Sequence, residues 1–133
     1  MDDAQAVREM VRVVRPGGRV VLVHLCAYGP EDREEYFEIL RLRNPARRNF
    51  YLRSDLARLL RDAGCSTVEV RDYISDEDVE AWADNQAVQS EAVQAIRRVY
   101  ENASEAFLAL HGVRQQDGRI LDRMLFGIAI GIR

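Results

Sequence analysis

Apolar side chains recur at Val7, Met10, Val11 and Val14, the spacing of one helix face, so the pattern predicts a helix over 4–14. Pro16-Gly17-Gly18 stops that helix and turns the chain. Arg19-Val-Val-Leu-Val-His24 follows as a β-branched run with no polar alternation, which predicts a strand covered on both faces. Gly29-Pro30 opens a polar stretch, and Tyr36, Phe37, Ile39 and Leu40 place a helix over 32–42 that Asn44-Pro45 ends. Ser54 reads as the N-cap of the next helix, with Asp55 in its first turn, Leu56, Leu59 and Leu60 on its apolar face and Gly64 as its left-handed C-cap. Val68 and Val70 alternate with Glu69 and Arg71, as in a strand near a sheet edge over 67–73.

Further along, 76–84 reads as a short acidic helix carrying Trp82, and 90–110 as one sustained amphipathic helix ending at His111-Gly112. Asp117-Gly118 signals a turn. The chain closes on its most apolar stretch, 124–132. Phe126, Ile128, Ile130 and Ile132 fall on one face, and Gly127, Ala129 and Gly131 fall on the other. That division suits a central strand with helices close against the small-residue side. Strands alternating with helices make an α/β protein, read here as a single domain over 1–133 with a helical insert at about 75–115.

Three segments, in order, carry a family resemblance. Residues 8–23, REMVRVVRPGGRVVLV, resemble the helix, Pro-Gly-Gly turn and fifth strand of class I S-adenosylmethionine-dependent methyltransferases. Residues 51–70, YLRSDLARLLRDAGCSTVEV, resemble that family's next helix and sixth strand, and the apolar end is similar to its antiparallel seventh strand. The resemblance implies the C-terminal half of a Rossmann-like sheet, with strands five, seven and six adjacent in that order. It also implies S-adenosylmethionine as cofactor of a complete enzyme and a small-molecule methyl acceptor. The family's Gly-rich loop after its first strand, and the carboxylate that holds the ribose, have no counterpart here. Gly17-Gly18 precedes a strand instead of following one. No cofactor residue carries over, and the chain alone is expected to bind no cofactor and to be inactive.

Composition narrows the partners. A net charge of −3 gives no general attraction to nucleic acid or anionic membrane, and no apolar run approaches the ~20 residues of a membrane span. All 19 basic residues are arginine. Cys26 and Cys65 make neither a disulfide framework nor a metal site, and the first ten residues lack a secretion signal, so a cytoplasmic location is expected.

Ligands of open α/β sheets bind beyond the carboxyl ends of the strands, which draws attention to His24, Cys26 and Tyr28. His24 is the candidate general base, since imidazole titrates near neutrality; its alternative is a hydrogen-bonded strand-end residue. Cys26 reads as a packing residue. Tyr28 is a candidate substrate contact or a loop anchor. Arg47 and Arg48, with Arg41 and Arg43 around Asn44-Pro45, can receive a substrate carboxylate or phosphate, or can form a solvated helix end. Trp82 is a candidate lid residue over an acceptor, or else core. Asp76, Glu77, Asp78 and Glu80 read as a helix start, not a metal site.

A sheet that begins at strand 19–24 leaves one side of that strand without a partner. A two-fold homodimer through 19–24, or an N-terminal half, is therefore expected to cover it. The functions left open are a methyltransferase acting on a small molecule, a non-enzymatic dimerising or regulatory remnant of that fold, and an unrelated α/β interaction domain.

Overall fold

The computed structural model describes residues 2–84 and 90–133. In chain order the elements are α1 (Asp3–Val13), β1 (Arg19–Ala27), α2 (Arg33–Arg43), β2 (Tyr51–Leu52), α3 (Arg53–Asp62), β3 (Thr67–Asp78), α4 (Val79–Ala83), α5 (Ser90–Glu101), α6 (Glu105–Leu110), β4 (Arg114–Gln116) and β5 (Arg119–Ile132). The strands hydrogen-bond in the order β2-β1-β5-β3, with β4 also paired to β5. β5 runs antiparallel to β1, Val21 opposite Ile130 and Val23 opposite Ile128. The last strand thus lies between β1 and β3, the arrangement the resemblance implies for strands five, seven and six.

The chain divides into two compact units, residues 1–26, 51–73 and 125–133 in one and 27–50 and 74–124 in the other. In the first, Asp2 caps α1 by accepting from the Gln5 amide at 2.6 Å, and the Arg133 guanidinium donates to the carbonyls of Arg12 and Val14 at its far end. Gly17 takes φ +81° and its amide donates to the Arg133 carbonyl at 2.8 Å, which fixes the turn into β1. α3 begins two residues earlier than the sequence suggests. Leu52, extended at the end of β2, is its N-cap, its amide donates to Asp55 Oδ2 at 2.8 Å, and Ser54 lies inside the first turn. Asp55 takes the capping role because its carboxylate reaches back three residues to that amide. At the other end Gly64 (φ +103°) donates to the Arg61 carbonyl and Cys65 to that of Leu60, the paired bonds of a Schellman motif.

The small residues of β5 let α3 approach closely. A Cβ on Gly131 would sit 2.6 Å from Cys65 Sγ and 3.3 Å from Leu60 Cδ1, and one on Gly127 would sit 2.9 Å from Cys26 Sγ and 3.3 Å from Leu56 Cδ1. Gly131→Val is therefore expected to cost about 1–3 kcal/mol by overpacking; an unchanged urea midpoint would contradict this close approach. β1 departs from expectation. Val20 and Leu22 are 3% and 8% exposed, whereas Val21 and Val23 are 48% and 51% exposed. From Arg19 to His24 the strand is covered on one face only, and at Leu25 to Ala27 both faces are buried. Alternation of side chains puts the two exposed valines opposite the α3 side, where the described residues supply no covering helix at those positions.

In the second unit α2 packs on α5, and α4 also packs on α5. Here too two boundaries differ. Residues 90–110 form two helices, because the Ser104 side chain caps α6 by accepting from the Phe107 amide at 3.2 Å while Asn102 Nδ2 donates back to the Arg98 carbonyl at the end of α5. Glu35 holds Ser104 in place through its amide (2.8 Å) and its hydroxyl (2.6 Å). The acidic helix begins at Val79, not at Asp76, because Asp78 is its N-cap, accepting from the Glu80 and Ala81 amides. Asp117 (φ +52°) and Gly118 (φ +77°) make the hairpin turn between β4 and β5. The segment 75–115 is thus helical only in part, and its residues 85–89 lie outside the described residues.

Candidate functional site

The loop after β1 leads into α2 through Asp32, which is wholly buried. Asp32 Oδ2 accepts from the Tyr28 amide at 2.9 Å and Oδ1 from the Gly29 amide at 2.8 Å, so one carboxylate ties the loop to the start of the helix. The same carboxylate lies 2.6 Å from His111 Nε2. On the other side of the imidazole, Nδ1 lies 2.9 Å from Asp122 Oδ1, and the Tyr100 hydroxyl hydrogen-bonds to Asp122 Oδ2. Asp32, His111 and Asp122 are all 0% exposed.

Each member is delivered by a different element: Asp32 by the entry to α2, Tyr100 by α5, His111 by the C-cap of α6, Asp122 by β5. Aromatic rings complete the enclosure. Phe107 stacks on the imidazole at 4.1 Å between centroids, Tyr36 lies at 4.8 Å and Tyr28 meets it edge-on at 5.0 Å. Tyr28 is further fixed by its hydroxyl, which donates to the Arg123 carbonyl at 2.7 Å.

The charges of this cluster support one another. Burial alone would push the imidazole down, but its hydrogen bonds to Asp122 and Asp32 and their negative charge hold His111 above its ordinary 6.5. Burial likewise pushes the Asp32 carboxyl up, and the His111 bond with the Tyr28 and Gly29 amides outweighs it, leaving Asp32 below its ordinary 3.8. Burial first, then the Asp122 charge and hydrogen bond, raise the Tyr100 phenol well above its usual range. The arrangement can store a positive charge and orient the loop. Among the described residues no serine or cysteine hydroxyl or thiol hydrogen-bonds to the imidazole, so it lacks the nucleophile of a catalytic triad.

The residues singled out from sequence lie in separate settings. His24 sits on the exposed part of β1 opposite Gly127, its ring 4.9 Å from that of Tyr51. Cys26 is fully buried with Sγ 3.5 Å from the His24 carbonyl. Arg47 bonds through Nε to the Asn49 carbonyl at 2.9 Å and lies over the Phe50 ring, which it shares with Arg41. Arg48 is exposed. Trp82 lies half-buried under the Arg43 guanidinium, 4.3 Å from the ring centroid, and its carbonyl accepts from Arg43 Nε. Tyr28 is the one that meets the buried cluster through its ring, edge-on to His111. From sequence, Asp32 and His111 read as helix boundaries, and local patterning does not single out Asp122. The available signal was Asp122 itself, a carboxylate on the same strand face as the buried Ile120 and Met124. Among the described residues no His, Cys, Asp and Glu side chains are grouped to hold a metal ion, and no helix is long and apolar enough to cross a membrane.

No protein-family model and no curated relative matches the chain. Among solved structures it is similar to the YcgJ protein of Bacillus subtilis, 20% identical with a TM-score of 0.87 over 99% of this chain and 58% of that one. It is also similar to BH2331, a candidate methyltransferase from Bacillus halodurans C-125, 22% identical with a TM-score of 0.79 over 96% of this chain and 60% of that one. The chain spans about three fifths of the length of these neighbours. At such identities the likeness shows the fold alone, an open α/β sheet with flanking helices.

Proposed function

We propose that this chain forms the acceptor-side portion of an S-adenosylmethionine-dependent methyltransferase that modifies a small molecule. The observation that carries the reading is the antiparallel β5 lying between β1 and β3, joined to a structural match over 99% of the chain. On this reading the loop after β1 does not hold the cofactor. The glycine that follows β1 is Gly29, whose amide, with that of Tyr28, is already taken by Asp32. Neither of these two amides is therefore free to cradle a ligand. On this reading the donor site belongs to other residues, and loop 28–32 faces the acceptor side.

Calorimetry with S-adenosylmethionine tests it, on this chain and on the polypeptide read in frame through the DNA that precedes the Met1 codon. Binding is expected from the longer polypeptide alone. Binding by these 133 residues sinks the claim that the donor site lies elsewhere, and silence from both sinks the enzyme.

The second reading, a dimerising remnant, draws on the uncovered face of β1 and on β2, which supplies only two residues along that strand's other side. It requires a homodimer through 19–24 in sedimentation at micromolar concentration. A monomer there rules it out.

A further inference from the structure

We propose that His111 is held as a buried imidazolium that locks loop 28–32 onto β5, and that loss of its proton releases the loop. This goes beyond the reading above and does not depend on it. Both oxygens of Asp32 already accept, from the Gly29 and Tyr28 amides, so the contact at 2.6 Å needs a proton on His111 Nε2. Asp122 Oδ2 accepts from the Tyr100 hydroxyl, and an ionised Asp122 has no proton of its own to give, so its Oδ1 contact at 2.9 Å needs a proton on Nδ1. An imidazole that donates from both nitrogens is a cation.

The groups facing the ring from every neighbouring element agree with this. They are Asp32 at the head of α2, Asp122 on β5, and three neutral aromatics, Tyr36, Phe107 and Tyr28; Tyr100 reaches the ring only through Asp122. Arg123 passes beside Gly112, the residue after His111. Two carboxylates and one imidazolium, all without exposure to water, form a chain in which each charge depends on the next. Removing the proton from Nε2 sets a lone pair against Asp32 Oδ2, and the cheapest relief is movement of the loop that Asp32 holds.

The direction follows from the linkage. The folded His111 value is raised, so its contribution is complete below the ordinary 6.5 and is lost as pH rises through the higher folded value. The folded Asp32 value is lowered, so its contribution is complete above the ordinary 3.8 and is lost as pH falls through the lower folded value. The loop is locked between these limits.

The chain holds two histidines, so His24→Gln leaves His111 as the single imidazole. Long-range proton–nitrogen spectra of that variant are expected to show two protonated ring nitrogens at pH 7. The Tyr28 and Gly29 amide peaks should then move with the same midpoint as the ring when the pH is raised. Asp32→Asn is expected to lower that midpoint by about 1–3 pH units, through loss of a neighbouring negative charge. A neutral tautomer at pH 7, or loop amides that stay still through the ring's titration, overturns the proposal. The measurement on His24→Gln alone decides it if Asp32→Asn does not fold.

Discussion

His111→Ala is expected to cost about 3–5 kcal/mol of stability, the effect of removing one partner from a buried ionic cluster. The substitution leaves Asp32 and Asp122 with no positive group between them and opens a void beside Phe107. Against a total of about 5–15 kcal/mol for an ordinary domain, the loss brings the unit near its unfolding threshold. Urea denaturation at pH 7 measures it. The double variant His111→Ala/Asp122→Asn should recover part of the loss, because it removes one stranded carboxylate. A single variant with a midpoint within experimental error of the parent would mean that the cluster is not held as described.

Leu60→Ala is expected to cost about 2–5 kcal/mol, the range for deleting a fully buried leucine. Leu60 is 0% exposed, its carbonyl accepts the Cys65 amide at the end of α3, and its side chain rests where Gly131 leaves no atoms. A glycine opposite cannot expand into the cavity, so the site collapses poorly. Leu59, one residue earlier and half-buried, is expected to lose less on the same substitution. Equal losses at the two positions would show that α3 presents a different face to the sheet.

The sheet was legible because its evidence is local. Pro16-Gly17-Gly18 before a β-branched run, Gly64 after a leucine-faced helix, and bulky residues alternating with small ones near the chain's end each specify their element without help from elsewhere. The interrupted helix was not. Apolar spacing runs unbroken from Ala92 to Leu110, and the break depends on Ser104, which is pinned by Glu35 from a distant helix. The uncovered side of β1 was missed for a related reason. A run of valines reports preference for burial, and what covers it is decided by other segments. The buried cluster is the extreme case. Asp32 and His111 each have an adequate local explanation at a helix end, and only the fold brings them to 2.6 Å. The lone carboxylate of Asp122 among Ile120 and Met124 was the one clue that local patterning did not already absorb.

The position of β5 bears on how the polypeptide is made. Ribosomes deliver β1 and β3 first, yet these strands meet only through β5, whose pairing with β1 joins residues as far apart as Arg19 and Ile132. Until β5 emerges, the apolar β1 and the strongly charged β3 wait unjoined on the nascent chain. Long-range closure of this kind is slow and exposes sticky surface meanwhile. A stop codon inside β5 should therefore yield insoluble product, even though α1 to α6 are already complete.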